Sequence, residues 1–133
     1  MTDSILAIDY GKKRVGLALA VQGVPQRLQT LPNDELLVGR LADIVQNHQI
    51  GLVVLGLPRT SNGDDTAWTA EVRQFAKNLG GEISAPVTLR DEFATTDEAR
   101  ARLVSQKLEP GSQKALLDQE AAVVLLEDYL NAL

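Results

Sequence analysis

Apolar blocks separated by turn residues predict three short strands in the first part of the chain. Residues 5–8 are apolar and end at Asp9, which is typical of a buried strand. After a turn, residues 15–21 predict a second strand, and residues 24–30 predict a third. Pro25 indicates that this third strand begins late or lies at an edge of a sheet. Short turns between strands favour an antiparallel meander.

Helical and extended patterns alternate in the rest of the chain. Asn33 is predicted to cap a helix that carries apolar residues at helical spacing, and residues 52–55 predict a strand covered on both faces. An amphipathic helix runs from Trp68 to Leu79, and residues 86–90 predict a short strand.

Two more helices are predicted near the end of the chain. Thr95 and Glu98 form a capping box for a helix that reaches about residue 107, and the last helix begins at Ser112. The predicted order is therefore β-β-β-α-β-α-β-α-α, an α/β fold with a mixed sheet flanked by helices.

Composition narrows the possible chemistry. The length of 133 residues suits one domain over 1–133, and the absence of cysteine excludes disulfides, thiol catalysis and cysteine-ligated metals. His48 is the single histidine, so a multi-histidine site within one chain is excluded too. No apolar run is long enough to span a membrane and the first residues do not resemble a secretory signal, so a cytoplasmic protein is expected.

Three of the 18 acidic residues are predicted to lie at strand ends or on an apolar helix face, rather than on a solvated surface. Asp9 ends an apolar strand, where it caps the following turn or serves a site. Either Glu92 or its neighbour Asp91 ends another strand, and the sequence does not choose between them. Asp118 lies on the alanine-rich face of the last helix, where a buried carboxylate needs a partner. That partner is a structural cation such as Arg14 or Lys114, or a metal ion.

Carboxylates on three separate elements suggest a site for divalent cations. Magnesium prefers oxygen ligands, and two such ions together can promote phosphodiester hydrolysis. The net charge of −5 argues against nucleic-acid binding over the whole surface but leaves room for a local basic patch.

The basic residues nearest to these acids have two interpretations each. Lys12, Lys13 and Arg14 form a cluster in the first turn, which is either a phosphate clamp or a solvated hairpin. Lys114 lies one helical turn before Asp118, where it either orients a phosphate or pairs with that carboxylate. Trp68 fits the apolar stripe of its helix better than a role in stacking on substrate.

Four motifs, in order and over nearly the whole chain, resemble a known family. They are Asp9-Tyr10-Gly11-Lys12-Lys13-Arg14-Val15-Gly16, Gly56-Leu57-Pro58, Asp91-Glu92 with Thr95-Thr96, and Lys114 with Asp118-x-x-Ala121-Ala122. The family is YqgF, also called RuvX, whose members are described as pre-16S rRNA nucleases and as Holliday junction resolvases. Where the family usually has arginine after Asp-Glu, this chain has Phe93. This departure concerns substrate contacts rather than the acids.

The resemblance implies an RNase H-like fold and a metal-dependent endonuclease. It implies that Asp9, Glu92 and Asp118 hold the metal, expected to be two Mg²⁺ or Mn²⁺ ions, and that Arg14, Lys12, Lys13 and Lys114 bind substrate phosphates. It further implies a nucleic-acid partner, with pre-16S rRNA, alone or in a ribosomal precursor, preferred as the substrate in 5′-end maturation.

Three alternatives stay open at this point. A four-way DNA junction is the second candidate substrate, and resolving it needs two paired cuts and hence a homodimer, whereas RNA cleavage needs only a monomer. A protein that binds RNA or ribosome precursors without cutting is an alternative of another class. An actin-like ATPase shares the hairpin motif, but 133 residues provide only one of its two lobes.

Overall fold

A computed structural model describes residues 4–60, 62–92, 101 and 110–133, with the backbone alone for 110–114. Five strands form one mixed sheet in the order β3-β2-β1-β4-β5. The strands are β1 Ser4–Tyr10, β2 Arg14–Val21, β3 Val24–Pro32, β4 Ile50–Pro58 and β5 Val87–Glu92, and the helices are α1 Leu37–Asn47, α2 Ala67–Gly80 and α3 Pro110–Asn131.

The sheet combines an antiparallel and a parallel half that meet at β1. β1 pairs antiparallel with β2, and β2 with β3, as expected of a meander. β1 pairs parallel with β4, and β4 with β5, which brings the carboxyl ends of these three strands to one edge. The predicted α/β class with a mixed sheet is confirmed.

Strand alternation gives the sheet two unlike faces. One face carries large aliphatic residues, among them Leu6, Leu17 and Leu55, in a core shared with α1 and α2. The opposite face carries smaller residues, which pack on α3 in a second core: Ala7, Ala18, Ala20 and Val54 from the strands, with Ala122, Val123, Leu125 and Leu126 from the helix.

The capping of α1 differs from the prediction. Asn33 does not cap α1, which begins at Leu37 after a residue without a side-chain cap. The Asn33 amide instead donates to the carbonyl of Gly11 at 2.7 Å and so ties this segment to the first turn. α2 is capped by Thr66, which forms a capping box with Thr69.

Two predicted boundaries need comment. The sequence predicts the fourth strand over residues 52–55, but β4 continues to Pro58, where it pairs with the last residues of β5. This extension matters because it carries Gly56 into the sheet. The predicted helix from Thr95 to residue 107 lies outside the described residues, except for one helical residue at 101.

Candidate active site

Asp9 lies at the carboxyl end of the central strand. It pairs with Gly16 across the antiparallel ladder. Its side chain follows Ala7 on the small-residue face, because alternate residues of a strand share a face. The Asp9 side chain therefore lies on the face of the sheet that packs against α3.

Glu92 meets Asp9 from the end of β5. These strands are separated by β4, where Gly56 offers no side chain between them. A Cβ added at position 56 would lie 3.0 Å from the carboxyl carbon of Glu92 and 3.3 Å from a methyl group of Leu125. The missing side chain thus gives Glu92 the space in which its carboxyl group forms a hydrogen bond with that of Asp9.

Burial and the neighbouring acids raise the pKa of Asp9. Burial is the main reason that the pKa of Asp9 lies well above 3.8, and the charge of Glu92, the hydrogen bond with it and the charge of Asp118 raise it further. When two carboxyl groups share a site of low dielectric constant, the charge of one disfavours ionisation of the other. A bound cation would offset the repulsion that raises the pKa of Asp9.

Asp118, in α3, comes close to the sheet because Gly16 of β2 has no side chain. A Cβ at Gly16 would overlap the backbone carbonyl of Asp118 and lie 2.8 Å from its Cβ. Glycine at this position lets the helix backbone touch β2. Asp118 is thereby placed near enough to Asp9 to raise the pKa of that carboxyl group.

Arg14 is the partner of Asp118. Its Nε donates to Asp118 Oδ2 at 2.7 Å, between side chains that are 44% and 19% exposed. The structural cation that the sequence left as one alternative is thus present. The guanidinium that was predicted to hold phosphate is bonded to the carboxylate, while its exposed part still faces solvent.

The two neighbouring acids at the end of β5 separate onto opposite faces. Glu92 joins Asp9, whereas Asp91 pairs with Arg59 at 3.3 Å on the other side of the sheet. Arg90, on the same face as Glu92, bonds Asp128 of α3 at 2.6 Å. The register between β4 and β5 places Glu92, and not Asp91, beside Asp9.

The structure describes some of the other residues that were predicted to contact substrate. Lys12 and Lys13 are exposed in the turn beyond β1, and the Lys12 ammonium lies 5.5 Å from the centre of the Trp68 ring. Lys114 is part of α3 by its backbone, but its side chain lies outside the described residues, as does the whole of Phe93.

Two features of the site escaped the sequence analysis. Gly56 was interpreted only as part of the three-residue motif Gly56-Leu57-Pro58 and was assigned no role in making space for an acid. The stack of Tyr10 on Phe75 and Trp68, with ring centres 4.0 and 5.4 Å apart, was not expected. Nothing in the local pattern joins residues so distant along the chain.

The donor set suits a hard divalent cation, because all three groups are carboxylates. In the described part of the chain, however, no group of three or more histidine, cysteine or acidic side chains is arranged to hold a metal ion. Asp9 and Glu92 are in contact, while Asp118 is held by Arg14. Asp9 and Glu92 thus supply carboxylate oxygens of the kind that such a cation prefers, and Asp118 lies close enough to affect the pKa of Asp9.

A family model described as "RuvX: Holliday junction resolvase" matches residues 3–132. The chain belongs to the RuvX family. The resemblance found in the four motifs is thereby confirmed, as is the prediction of a nuclease within the hydrolases. Among its relatives are proteins named "Putative pre-16S rRNA nuclease" from Maridesulfovibrio salexigens, 33% identical over 95% of this chain and 96% of the relative, and from Dictyoglomus thermophilum, 34% identical over 96% and 95%.

Solved structures show the same fold at low sequence identity. Thermus thermophilus RuvC, in complex with a Holliday junction substrate, aligns over 98% of this chain and 95% of its own, with a TM-score of 0.61 at 14% identity. The fowlpox virus resolvase, in complex with Holliday junction DNA, aligns over 97% of each chain with a TM-score of 0.58 at 13% identity. The predicted RNase H-like fold is confirmed.

No helix in the described ranges is both long enough and apolar enough to cross a membrane.

Proposed function

We propose that this protein is a metal-dependent endonuclease that hydrolyses phosphodiesters during 5′-end maturation of pre-16S rRNA. The observation that carries the proposal is the contact between the carboxyl groups of Asp9 and Glu92, with Asp118 beside them. A carboxyl group whose pKa is raised by burial and by neighbouring acids marks a candidate functional site. The names of the relatives supply the substrate class.

In this proposal Asp9 and Glu92 hold Mg²⁺ or Mn²⁺, and Asp118 completes the site. A pair of such ions, when bound, activates water and stabilises the leaving oxygen of a phosphodiester. Gly56 and Gly16 act indirectly, because each leaves the space that lets an acid reach the site. Arg14 orients Asp118 through the hydrogen bond from its Nε.

Phosphate binding is proposed for the basic turn beside these acids. Lys12 and Lys13 extend from the end of β1 into solvent, and Lys114 is the candidate from α3. Because the whole chain carries a charge of −5, binding depends on these few cations. We expect weak binding to naked RNA that falls steeply with salt. A cytoplasmic location is part of this proposal.

A four-way DNA junction is the second candidate substrate, and the description of the matching family favours it. Two paired cuts on a junction call for two active sites, so this function predicts a homodimer. RNA cleavage predicts no such requirement, and a monomer suffices. Cleavage of the junction by a dimer, with the precursor RNA left intact, would replace the first candidate with the second.

The test uses two adjacent acids as a matched pair. Purified protein is incubated with Mg²⁺ or Mn²⁺ and either a precursor RNA with the 16S 5′ end or a four-way junction. Glu92→Gln removes one charge from the site, and Asp91→Asn removes one charge from the next residue on the opposite face. Asp118→Asn tests the third acid in the same assay.

We expect Glu92→Gln and Asp118→Asn to lower the cleavage rate by at least about 100-fold, since even residues outside the first ligand shell of a metal cost about 10- to 100-fold. Asp91→Asn should retain most of the activity. Equal losses in the two adjacent variants would contradict the assignment of Glu92. RNA binding without cleavage by any metal-loaded form would instead support a binding protein without nuclease activity.

A further inference from the structure

The positive charges beside the site differ in whether a carboxylate already neutralises them. All six arginines whose side chains are described form ion pairs with acidic residues: Arg14, Arg27, Arg40, Arg59, Arg73 and Arg90. Over the same described residues, Lys12, Lys13 and Lys77 have no carboxylate within 4.0 Å. Lys77 lies in the last turn of α2, so the free charges near Asp9 belong to the two lysines of the turn.

The exposed Lys12 side chain also lies against an aromatic ring. Its ammonium lies 5.5 Å from the centre of the Trp68 ring, within the range of a cation–π contact. Trp68 in turn stacks on Tyr10, with 12° between the ring planes, and Tyr10 stacks on Phe75. An exposed cation is thereby held on a partly exposed aromatic platform.

This platform begins one residue from the acidic pair. Tyr10 follows Asp9 in β1, so their Cα atoms are about 3.8 Å apart and their side chains lie on opposite faces of the sheet. Phe75 anchors the stack in the core shared with α2, and Trp68 forms its partly buried outer layer. Tyr10 thus links the two places, since it is adjacent to Asp9 in β1 and stacks on Trp68.

We infer that Trp68 and Lys12 form a subsite for an unpaired nucleotide next to the phosphate that is cut, with the base stacked on Trp68 and a phosphate bound by Lys12. Exposed cation–π contacts are weak compared with stacking of a base on an aromatic ring. A base can therefore displace the ammonium from the ring, which leaves Lys12 free to bind the adjacent phosphate. The subsite deepens the proposed function and rests on it, since it assigns a preference for single-stranded substrate.

The chain contains one tryptophan, so its fluorescence reports on this subsite alone. The full-length protein is titrated with oligouridylate in EDTA, which prevents metal-dependent cleavage. Binding is followed by Trp68 emission and, separately, by the anisotropy of labelled RNA. We expect Trp68 emission to change and to saturate at the same RNA concentration as the anisotropy. The same RNA annealed to oligoadenylate should leave Trp68 emission unchanged, because its bases are paired.

Lys12→Ala and Lys77→Ala remove the same charge from different places. We expect Lys12→Ala to weaken RNA binding about tenfold and to lower the slope of log K against log salt by about 0.7, as for one phosphate contact on a single strand. Lys77→Ala should change neither quantity. Trp68→Phe should weaken binding without changing the salt slope, and circular dichroism checks that this variant folds.

The inference is overturned if RNA binds by anisotropy while Trp68 emission stays constant, if paired RNA changes the emission equally, or if the two lysine variants behave alike. Absence of RNA binding overturns it as well. Glu92→Gln separates this result from the proposed function, because we expect it to abolish cleavage and keep the emission change. Binding with the expected signal but no cleavage by the unsubstituted protein would refute the nuclease proposal and retain the subsite.

Discussion

The two faces of the sheet use the same strands in opposite ways. In β2, Leu17 and its alternate neighbours fill the core against α1 and α2 with branched side chains. Gly16 and Ala18, on the other face, leave so little side chain that the backbone of α3 comes into contact with the strand. The large-residue face gains stability from buried area, whereas the small-residue face gains the close approach that brings Asp118 to Asp9.

This difference explains where the acids lie. On the large-residue face, aliphatic side chains fill the positions along β1, β2 and β4. On the small-residue face, Gly16 and Gly56 make space on either side of Asp9, one for α3 and one for Glu92. Substitutions on each face test whether one face stabilises the protein by packing and the other leaves space for the acids.

The largest expected effect is the loss of a large side chain. Leu17 is completely buried, and Leu17→Ala should lower the free energy of unfolding by about 2–5 kcal/mol, because lost transfer energy adds to the cost of a cavity. Urea denaturation measures this change. A loss below about 1 kcal/mol would show that this face does not supply the main packing energy.

The next effect comes from adding a single methyl group. Gly16→Ala should cost about 1–3 kcal/mol, because its Cβ overlaps the Asp118 carbonyl and α3 must shift. Gly39→Ala is the control, since nothing lies within 4 Å of a Cβ at that position in α1, and it should stabilise the protein by up to about 1 kcal/mol. Urea denaturation measures both variants. If Gly16→Ala changed the free energy of unfolding no more than Gly39→Ala does, the claim that space at Gly16 is essential would be refuted.

The charge on the small-residue face gives a pH-dependent prediction. Burial and the neighbouring acids raise the pKa of Asp9, so the folded state binds its proton more tightly than the unfolded state. The metal-free protein should therefore lose stability as pH rises from 3.8 through the raised pKa of Asp9. Asp9→Asn should remove this loss and raise the melting temperature at neutral pH, while abolishing cleavage.

Asp91→Asn serves as the control for this effect, since Asp91 lies on the other face and pairs with Arg59. Thermal melts of both variants across pH, in EDTA, provide the comparison. A melting temperature of Asp9→Asn that stays below that of the unsubstituted protein at neutral pH would mean that the repulsion is compensated elsewhere.

The smallest expected effect concerns the edge of the α3 interface. Arg90 and Asp128 join β5 to this helix at 2.6 Å, but Asp128 is 57% exposed. Because exposed ion pairs contribute little, Asp128→Asn should cost less than about 1 kcal/mol in denaturation. A loss equal to that of Gly16→Ala would indicate that ion pairs, rather than close packing, hold α3 on the sheet.

The sequence alone determined where most strands and helices lie, because these elements depend on the pattern of neighbouring residues. Alternating and helical periodicities located the strands and the amphipathic helix that became α2. Of the acids that did not fit these patterns, Asp9 is in contact with Glu92, and Asp118 lies near enough to raise the pKa of Asp9. Asn33 shows the limit of such reasoning, since a good capping residue instead donates a hydrogen bond to the turn at Gly11.

Only the tertiary structure decided the contacts between distant segments. The β4–β5 register brings Glu92 rather than Asp91 to the site, and α3 brings Asp118 to Arg14 across 104 positions of sequence. The role of Gly56 also depends on this register. Such contacts follow from how strands align and how closely a helix can approach, and these depend on side chains from several elements at once. For this reason no single segment of the sequence contains them.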